Sequence, residues 1–118
     1  MSFRICVDSG FKCVVVEFVG EVTDDDVTGS ATALFQHPDH DPSYHRLIDA
    51  RRVTKVSATG DAVREVARRW APLITGRAAL LANSDAAFAM MRMYELYVDD
   101  PRVRVFRKRA EAIRWLKE

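Results

Sequence analysis

FRICVDSGFKCVVVEFVGEVTDDDVTGSATALFQ, residues 3–36, reads as a hairpin running straight into a helix, and that reading decides the fold. Phe3, Ile5 and Val7 alternate with Arg4, Cys6 and Asp8, the period-2 pattern of a strand with one wet face. Ser9-Gly10 supply turn chemistry. From residue 12 to residue 19 the run is β-branched and nearly continuous in apolar side chains, which predicts a second strand covered on both faces and paired with the first. Gly20 ends it. Thr23 precedes Asp24, Asp25 and Asp26, an N-cap followed by carboxylates that favour the positive end of a helix dipole. The helix runs to about Gln36, with Val27, Ala31, Leu34 and Phe35 on the face that packs against the strands.

Outward from this unit, residues 37–44 hold Pro38 and Pro42 among turn formers and read as an irregular loop before a third strand at residues 45–50. Thr59 caps a second helix, in which Val63, Val66, Ala67 and Trp70 point inward while Arg64, Glu65, Arg68 and Arg69 stay wet. Pro72 stops it. Arg77–Asn83, with Ala78, Ala79, Leu80, Leu81 and Ala82, is a short apolar run suited to an inner strand, and Ser84-Asp85 cap a third helix at about residues 86–98. After Asp99-Asp100-Pro101, Val103, Val105 and Phe106 form a fifth strand. Ala110, Ile113 and Leu116 give the inner face of a last helix, with Trp115 flanking it. The order β-β-α-β-α-β-α-β-α predicts one α/β domain over residues 1–118, a mixed five-stranded sheet with four helices, the later strands made parallel by their crossovers.

Composition agrees with one such domain: 118 residues, 48% hydrophobic and 30% charged, leave no room for a second core. No apolar run approaches the roughly 18 residues of a membrane span, and Met1-Ser2-Phe3-Arg4 lacks the basic region and apolar run of a signal peptide. The expectation is a cytoplasmic protein without stable membrane insertion. Cys6 and Cys13 match neither a metal motif nor a disulfide framework and read as buried thiols. Residues 1–45 hold two Lys/Arg against eight Asp/Glu, and residues 46–118 sixteen against nine. This asymmetry predicts either opposite-sign faces that favour self-association or an acidic partner, or a solvated surface with accidental clustering. The basic clusters Arg51, Arg52, Lys55 and Arg102, Arg104, Arg107, Lys108, Arg109 lack interleaved aromatics and are diluted by Asp49, Asp99 and Asp100. They read as a solvated face and not as a nucleic-acid surface.

The order of elements, the acidic helix start after Gly20-Glu21-Val22-Thr23, Leu47-Ile48-Asp49 leading into a loop, and the closing strand-then-helix with Ala112-Ile113-Arg114-Trp115-Leu116 together resemble a STAS-type, SpoIIAA-like domain over nearly the whole chain. The resemblance implies a regulatory or binding role. In bacterial anti-sigma-factor antagonists of this superfamily an Asp-Ser-Ser/Thr-Gly segment opens the helix after the third strand, and its first serine accepts phosphate. The matching run here is Ser57-Ala58-Thr59-Gly60. Ser57 stands for the aspartate and Ala58 for the acceptor serine, so the resemblance implies no phosphorylation at the usual position. Ser57 or Thr59 stand as alternative acceptors at an anion-favouring helix start, although a threonine there serves first as a cap.

All three histidines fall in or beside the loop His37-Pro38-Asp39-His40-Asp41, with His45 following, and imidazole plus carboxylate is a competent transition-metal ligand set. The spacing matches no metal motif, and polar turn residues explain the same letters, so a metal- or anion-dependent enzyme using this loop is the alternative reading. Ser57, His45 and Asp49 are the one plausible nucleophile-base-acid trio, without a nucleophile elbow to support it. Five glycines scattered singly make no phosphate loop. The starts of the second and third helices would lie at the carboxyl ends of parallel strands, where α/β folds bind ligands. Around the third helix Ala87, Met90, Met91, Tyr94, Tyr97 and Val98 form one apolar face that Ala89, Met93 and Leu96 continue. Arg92 and Glu95 are left in a narrow polar wedge beside Phe88. Adaptable methionines on so wide an arc suggest a homodimer interface, a protein-partner groove or a cavity for a lipid-like ligand, or else burial among the chain's own helices. The sequence thus nominates Ser57, Thr59, Gly60, Ser84, Met90, Met93, Tyr94 and Tyr97 as ligand- or partner-binding residues. The domain is expected to be non-catalytic and without a cofactor, taking a homodimer partner, a regulatory protein or a small apolar or anionic ligand.

Overall fold

β1 (Phe3–Asp8) and β2 (Cys13–Val22) form an antiparallel hairpin in which Phe3 lies opposite Phe18 and Asp8 opposite Cys13. Asp8 Oδ1 accepts the Phe11 N–H at 3.1 Å, and Lys12 takes a left-handed conformation (φ 53°) to turn the chain back. The computed structural model describes residues 2–118. α1 (Asp24–Gln36) begins at a reciprocal cap: Thr23 Oγ1 accepts the Asp26 N–H at 3.3 Å while Asp26 Oδ2 accepts the Thr23 N–H at 2.9 Å.

β3 (His45–Val56), β4 (Ala78–Leu81) and β5 (Val103–Phe106) then add in sequence, each parallel to its predecessor and β3 parallel to β2. The result is a five-stranded mixed sheet in the spatial order β1-β2-β3-β4-β5. The crossovers are α1, α2 (Gly60–Arg69, followed by a 3₁₀ turn at Ala71–Leu73) and α3 (Asp85–Val98), and α4 (Arg109–Leu116) follows β5. The main core lies between the sheet and α1–α3, where Val14, Val16, Phe18, Leu80 and Val103 meet Leu34, Val63, Met90 and Met91. A smaller core lies on the other face, where Leu47, Ala79 and Leu81 meet Ala112, Trp115 and Leu116 of α4.

Four expectations change. On α4 the inner face is Ala112, Trp115 and Leu116, with Ala110 exposed, so Trp115 belongs to the core and does not merely flank it. β3 continues to Val56 and does not end at residue 50, because Val53 and Val56 still pair with the end of β2 across two register shifts. β2 is fully covered on one face alone: Val14, Val16 and Phe18 are buried, but Cys13, Val15 and Glu17 are half-buried because α4 is short. Cys6 is exposed, since β1 is an edge strand beyond the reach of α4; Cys13 is half-buried, and desolvation together with the nearby Asp8 charge pushes its thiol pKa up.

Candidate functional site

At the carboxyl end of the parallel strands the start of α2 is already engaged by the chain's own acids. Thr59 caps the helix, its Oγ1 accepting the Ala62 N–H at 3.3 Å. Asp24, from the first turn of α1, accepts the Thr59 N–H at 2.6 Å and its hydroxyl at 3.1 Å. Ser57 donates its hydroxyl to Glu21. A helix start that favours anions has therefore received a carboxylate from within, so Ser57 and Thr59 face acid neighbours instead of an open anion site. Gly60 is where α2 meets α3: a Cβ there would stand 3.2 Å from Met93 Sδ and 3.6 Å from Tyr97 Oη. Of the residues nominated from sequence, Ser57, Thr59, Gly60, Met93 and Tyr97 thus share one junction. Ser84 lies apart, capping α3 through the Ala87 N–H at 3.2 Å.

The histidine loop does not assemble a metal centre. His37 Nδ1 accepts the Asp39 N–H at 3.1 Å, His40 sits edge-on to Phe35 with centroids 5.0 Å apart, and Asp41 accepts from both the backbone and the hydroxyl of Ser43 at 2.8 Å. His45 Nδ1 accepts the Arg77 N–H at 2.9 Å, and burial followed by the Arg77 charge holds its imidazole below the usual range. Among the described residues no three His, Cys, Asp or Glu side chains group so as to hold a metal ion. The trio Ser57, His45 and Asp49 is not assembled either. His45 opens β3 and Ser57 follows its last residue, so an extended strand holds them roughly 30 Å or more apart.

The broad apolar arc of α3 is mostly consumed inside the chain. Met90 and Met91 are buried, Tyr94 and Met93 are half-buried, and the large apolar side chains still exposed are Leu96 at 65% and Tyr97 at 40%. Met90, Met91 and Tyr94 instead line a cavity of about 90 Å³ between α1, α2, α3 and the sheet. Phe18, Leu34, Ile48 and Val63 form its inner wall, and Phe35, Val66 and Trp70, which keep part of their surface exposed, form its rim. Phe35 stacks on Trp70 with centroids 4.7 Å apart.

One side chain in that wall was not singled out from sequence. Arg46 is the second residue of β3, and strand alternation places it on the helix-covered face with Ile48 and Ala50. Its register neighbours Val14 and Ala78 are both 0% exposed, and Arg46 itself is 7% exposed. Among the described residues Arg46 joins no salt bridge, and its buried Nε has no hydrogen-bond partner. It is the one charged residue lining the cavity. Burial and then the Arg46 charge hold the His40 imidazole below its ordinary value, with Asp41 opposing. Its parity with Ile48 and Ala50 was the one sign in the sequence, and it becomes legible only once the cross-strand neighbours Val14 and Ala78 are known. A larger hollow of about 350 Å³ lies on the α4 side among Asp8, Phe11, His45, Arg109 and Lys117, where charges of both signs meet solvent.

No model of a known protein family matches the chain, and no curated protein does. Among solved structures, an uncharacterized protein of the DUF3478 family with a SpoIIAA-like fold, from Shewanella loihica PV-4, matches over 97% of this chain and 91% of that one. The TM-score is 0.64 at 14% identity. The chain thus has the SpoIIAA-like fold.

Proposed function

We propose that this chain is a non-catalytic, STAS-type binding domain that takes a small ligand into the cavity between α1–α3 and the sheet. The observation that supports this is the cavity itself. Protein interiors pack as densely as organic crystals, so an almost wholly apolar hollow of about 90 Å³ that opens at the rim by Phe35, Val66 and Trp70 is room for a guest with an entry path. A molecule lodged there touches α1, α2 and α3 at once, so occupancy can be passed to a regulatory protein partner resting on their outer faces. Phosphate control at the usual position has no place in this reading: Ala58 has no hydroxyl, and Glu21 and Asp24 hold the hydroxyls of Ser57 and Thr59. A second copy is the further partner we propose, through the outer ridge of α3 that Leu96 and Tyr97 leave exposed.

Titration with 1-hexanol, followed by the methyl resonances of Met90 and Met91, tests the cavity. Saturable shifts are expected, weakened about tenfold in Ala31→Leu, which fills the space from α1. Methyl resonances that stay still throughout the titration sink the reading.

A further inference from the structure

We propose that the guest is a small aliphatic monocarboxylate whose carboxylate is held by the guanidinium of Arg46, with its tail along the apolar wall of the cavity. This rests on the cavity reading above and names the chemistry of its ligand.

A guanidinium cannot shed its proton to escape a desolvated site, so burying one without a counter-ion is costly, and buried charges in folded proteins are paired as a rule. Arg46 departs from that rule at its Nε, which is buried without a partner. Two other buried polar or charged side chains of this chain obey it: Asp49 is matched by Arg51 at 2.9 Å, and Asp26 by the Thr23 backbone at 2.9 Å. The exception opens onto a cavity in which, among the described residues, it is the one charged side chain. Ser30 is the other polar aliphatic side chain of the lining, while His40 and Asp41 lie outside it, in the loop before β3. Ser30 donates its hydroxyl to Val27 O at 3.0 Å, and His40 is held towards its neutral form. The carboxylate of Asp41 is engaged by Ser43.

The missing partner is therefore an anion of a single charge. One planar fork of donors matches one carboxylate, whereas a phosphate dianion would bring a second charge into an apolar wall that offers it nothing. Size sets the tail. A cavity of 150 Å³ accepts benzene, so about 90 Å³ accommodates on the order of four non-hydrogen atoms, and a longer chain must emerge at the rim by Phe35, Val66 and Trp70. Sodium hexanoate, whose tail is longer than the hollow alone accommodates, is the probe of choice.

Calorimetric titration at neutral pH compares hexanoate, 1-hexanol and inorganic phosphate on the whole chain and on Arg46→Met. The wild-type chain is expected to bind hexanoate at least about tenfold more tightly than 1-hexanol and to ignore phosphate. In Arg46→Met the preference should invert, with 1-hexanol still bound. Equal binding of hexanoate and 1-hexanol by the wild type overturns the carboxylate proposal and leaves the cavity reading standing. Binding of neither overturns both. A hexanoate preference that survives Arg46→Met, or phosphate competing as well as hexanoate does, removes Arg46 or the tail from the recognition. Should Arg46→Met not fold, the ¹⁵N-labelled wild type decides: the Arg46 Nε–H resonance must move with hexanoate and not with 1-hexanol, and the reverse overturns the proposal.

Discussion

Two buried charges stand three residues apart on β3 and project to opposite faces of the sheet, and their fates differ. Asp49, on the α4 side, is answered: Arg51 donates to it from its backbone N–H at 3.0 Å and from its guanidinium at 2.9 Å. Burial alone would raise the Asp49 carboxyl pKa, but these bonds and the charges of Arg51 and Arg109 hold it below its ordinary value of 3.8. A carboxylate with a lowered folded-state pKa contributes stability that is complete above the unfolded value and is lost as pH falls through the folded one. Asp49→Asn should therefore lower stability by about 1–2 kcal/mol at neutral pH, discounted because Arg51 is partly solvated. Urea unfolding should show that gap close as pH drops below the carboxylate range, and a gap of constant size down to acid pH contradicts the assignment. The sequence placed Asp49 in a strand but could not supply Arg51 as its partner, because residues 51–56 read as the loop side of a boundary set too early. Arg46 was equally hidden, since an arginine inside a strand is unremarkable until its neighbours on either side are known to be apolar and closed.

Elements were more legible than their lengths. The first three helix starts carried their own chemistry in local letters, Thr23 with Asp26, Thr59 and Ser84, and all three caps form as read, whereas α4 starts at Lys108 without a side-chain cap. β3 was cut short because Arg51, Arg52, Thr54 and Lys55 are exposed, and an edge-like polar run has the composition of a loop until the end of β2 is seen to pair with it. The approach of two loops was invisible for the same non-local reason. The segment entering β4 passes under the one entering β3, with the Thr75 and Gly76 N–H groups donating to Pro42 O at 3.0 and 3.4 Å. A Cβ on Gly76 would lie 2.2 Å from Tyr44 O and 2.8 Å from Ser43 O, both backbone atoms that cannot rotate away. Gly76→Ala should thus force the two strand entries apart at a cost of about 3 kcal/mol or more, read as a lowered urea midpoint. Gly60→Ala, which meets a flexible methionine at 3.2 Å, is its control and should cost far less. Equal effects from the two would refute the backbone clash.

Across the whole molecule, folding brings part of the acidic half against part of the basic half. β2 of the acidic half lies beside β3 of the basic half, which brings Glu21 within 3.9 Å of Lys55, and Asp24 caps the helix that follows β3. Elsewhere the basic clusters find partners close in space, Arg102 with Asp100 at 2.7 Å and Arg107 with Asp85 at 3.7 Å. Self-association has to come from apolar surface, and folding reduces the wide arc of α3 to the ridge of Leu96 and Tyr97. A ridge of that size falls well short of the roughly 1,200–2,000 Å² of a stable interface, so the dimer we propose is weak, with a dissociation constant on the order of 0.1 mM. Sedimentation velocity over a concentration series spanning that value should show a reversible shift for the wild type and none for Leu96→Glu. Met93→Glu must behave differently. Met93 reaches Gly60 across the α2–α3 junction, so a carboxylate there is buried against the start of α2 and should lower the melting temperature more than it changes association. A wild type that sediments as a monomer at every concentration, or a Leu96→Glu variant that associates like it, takes the interface off α3.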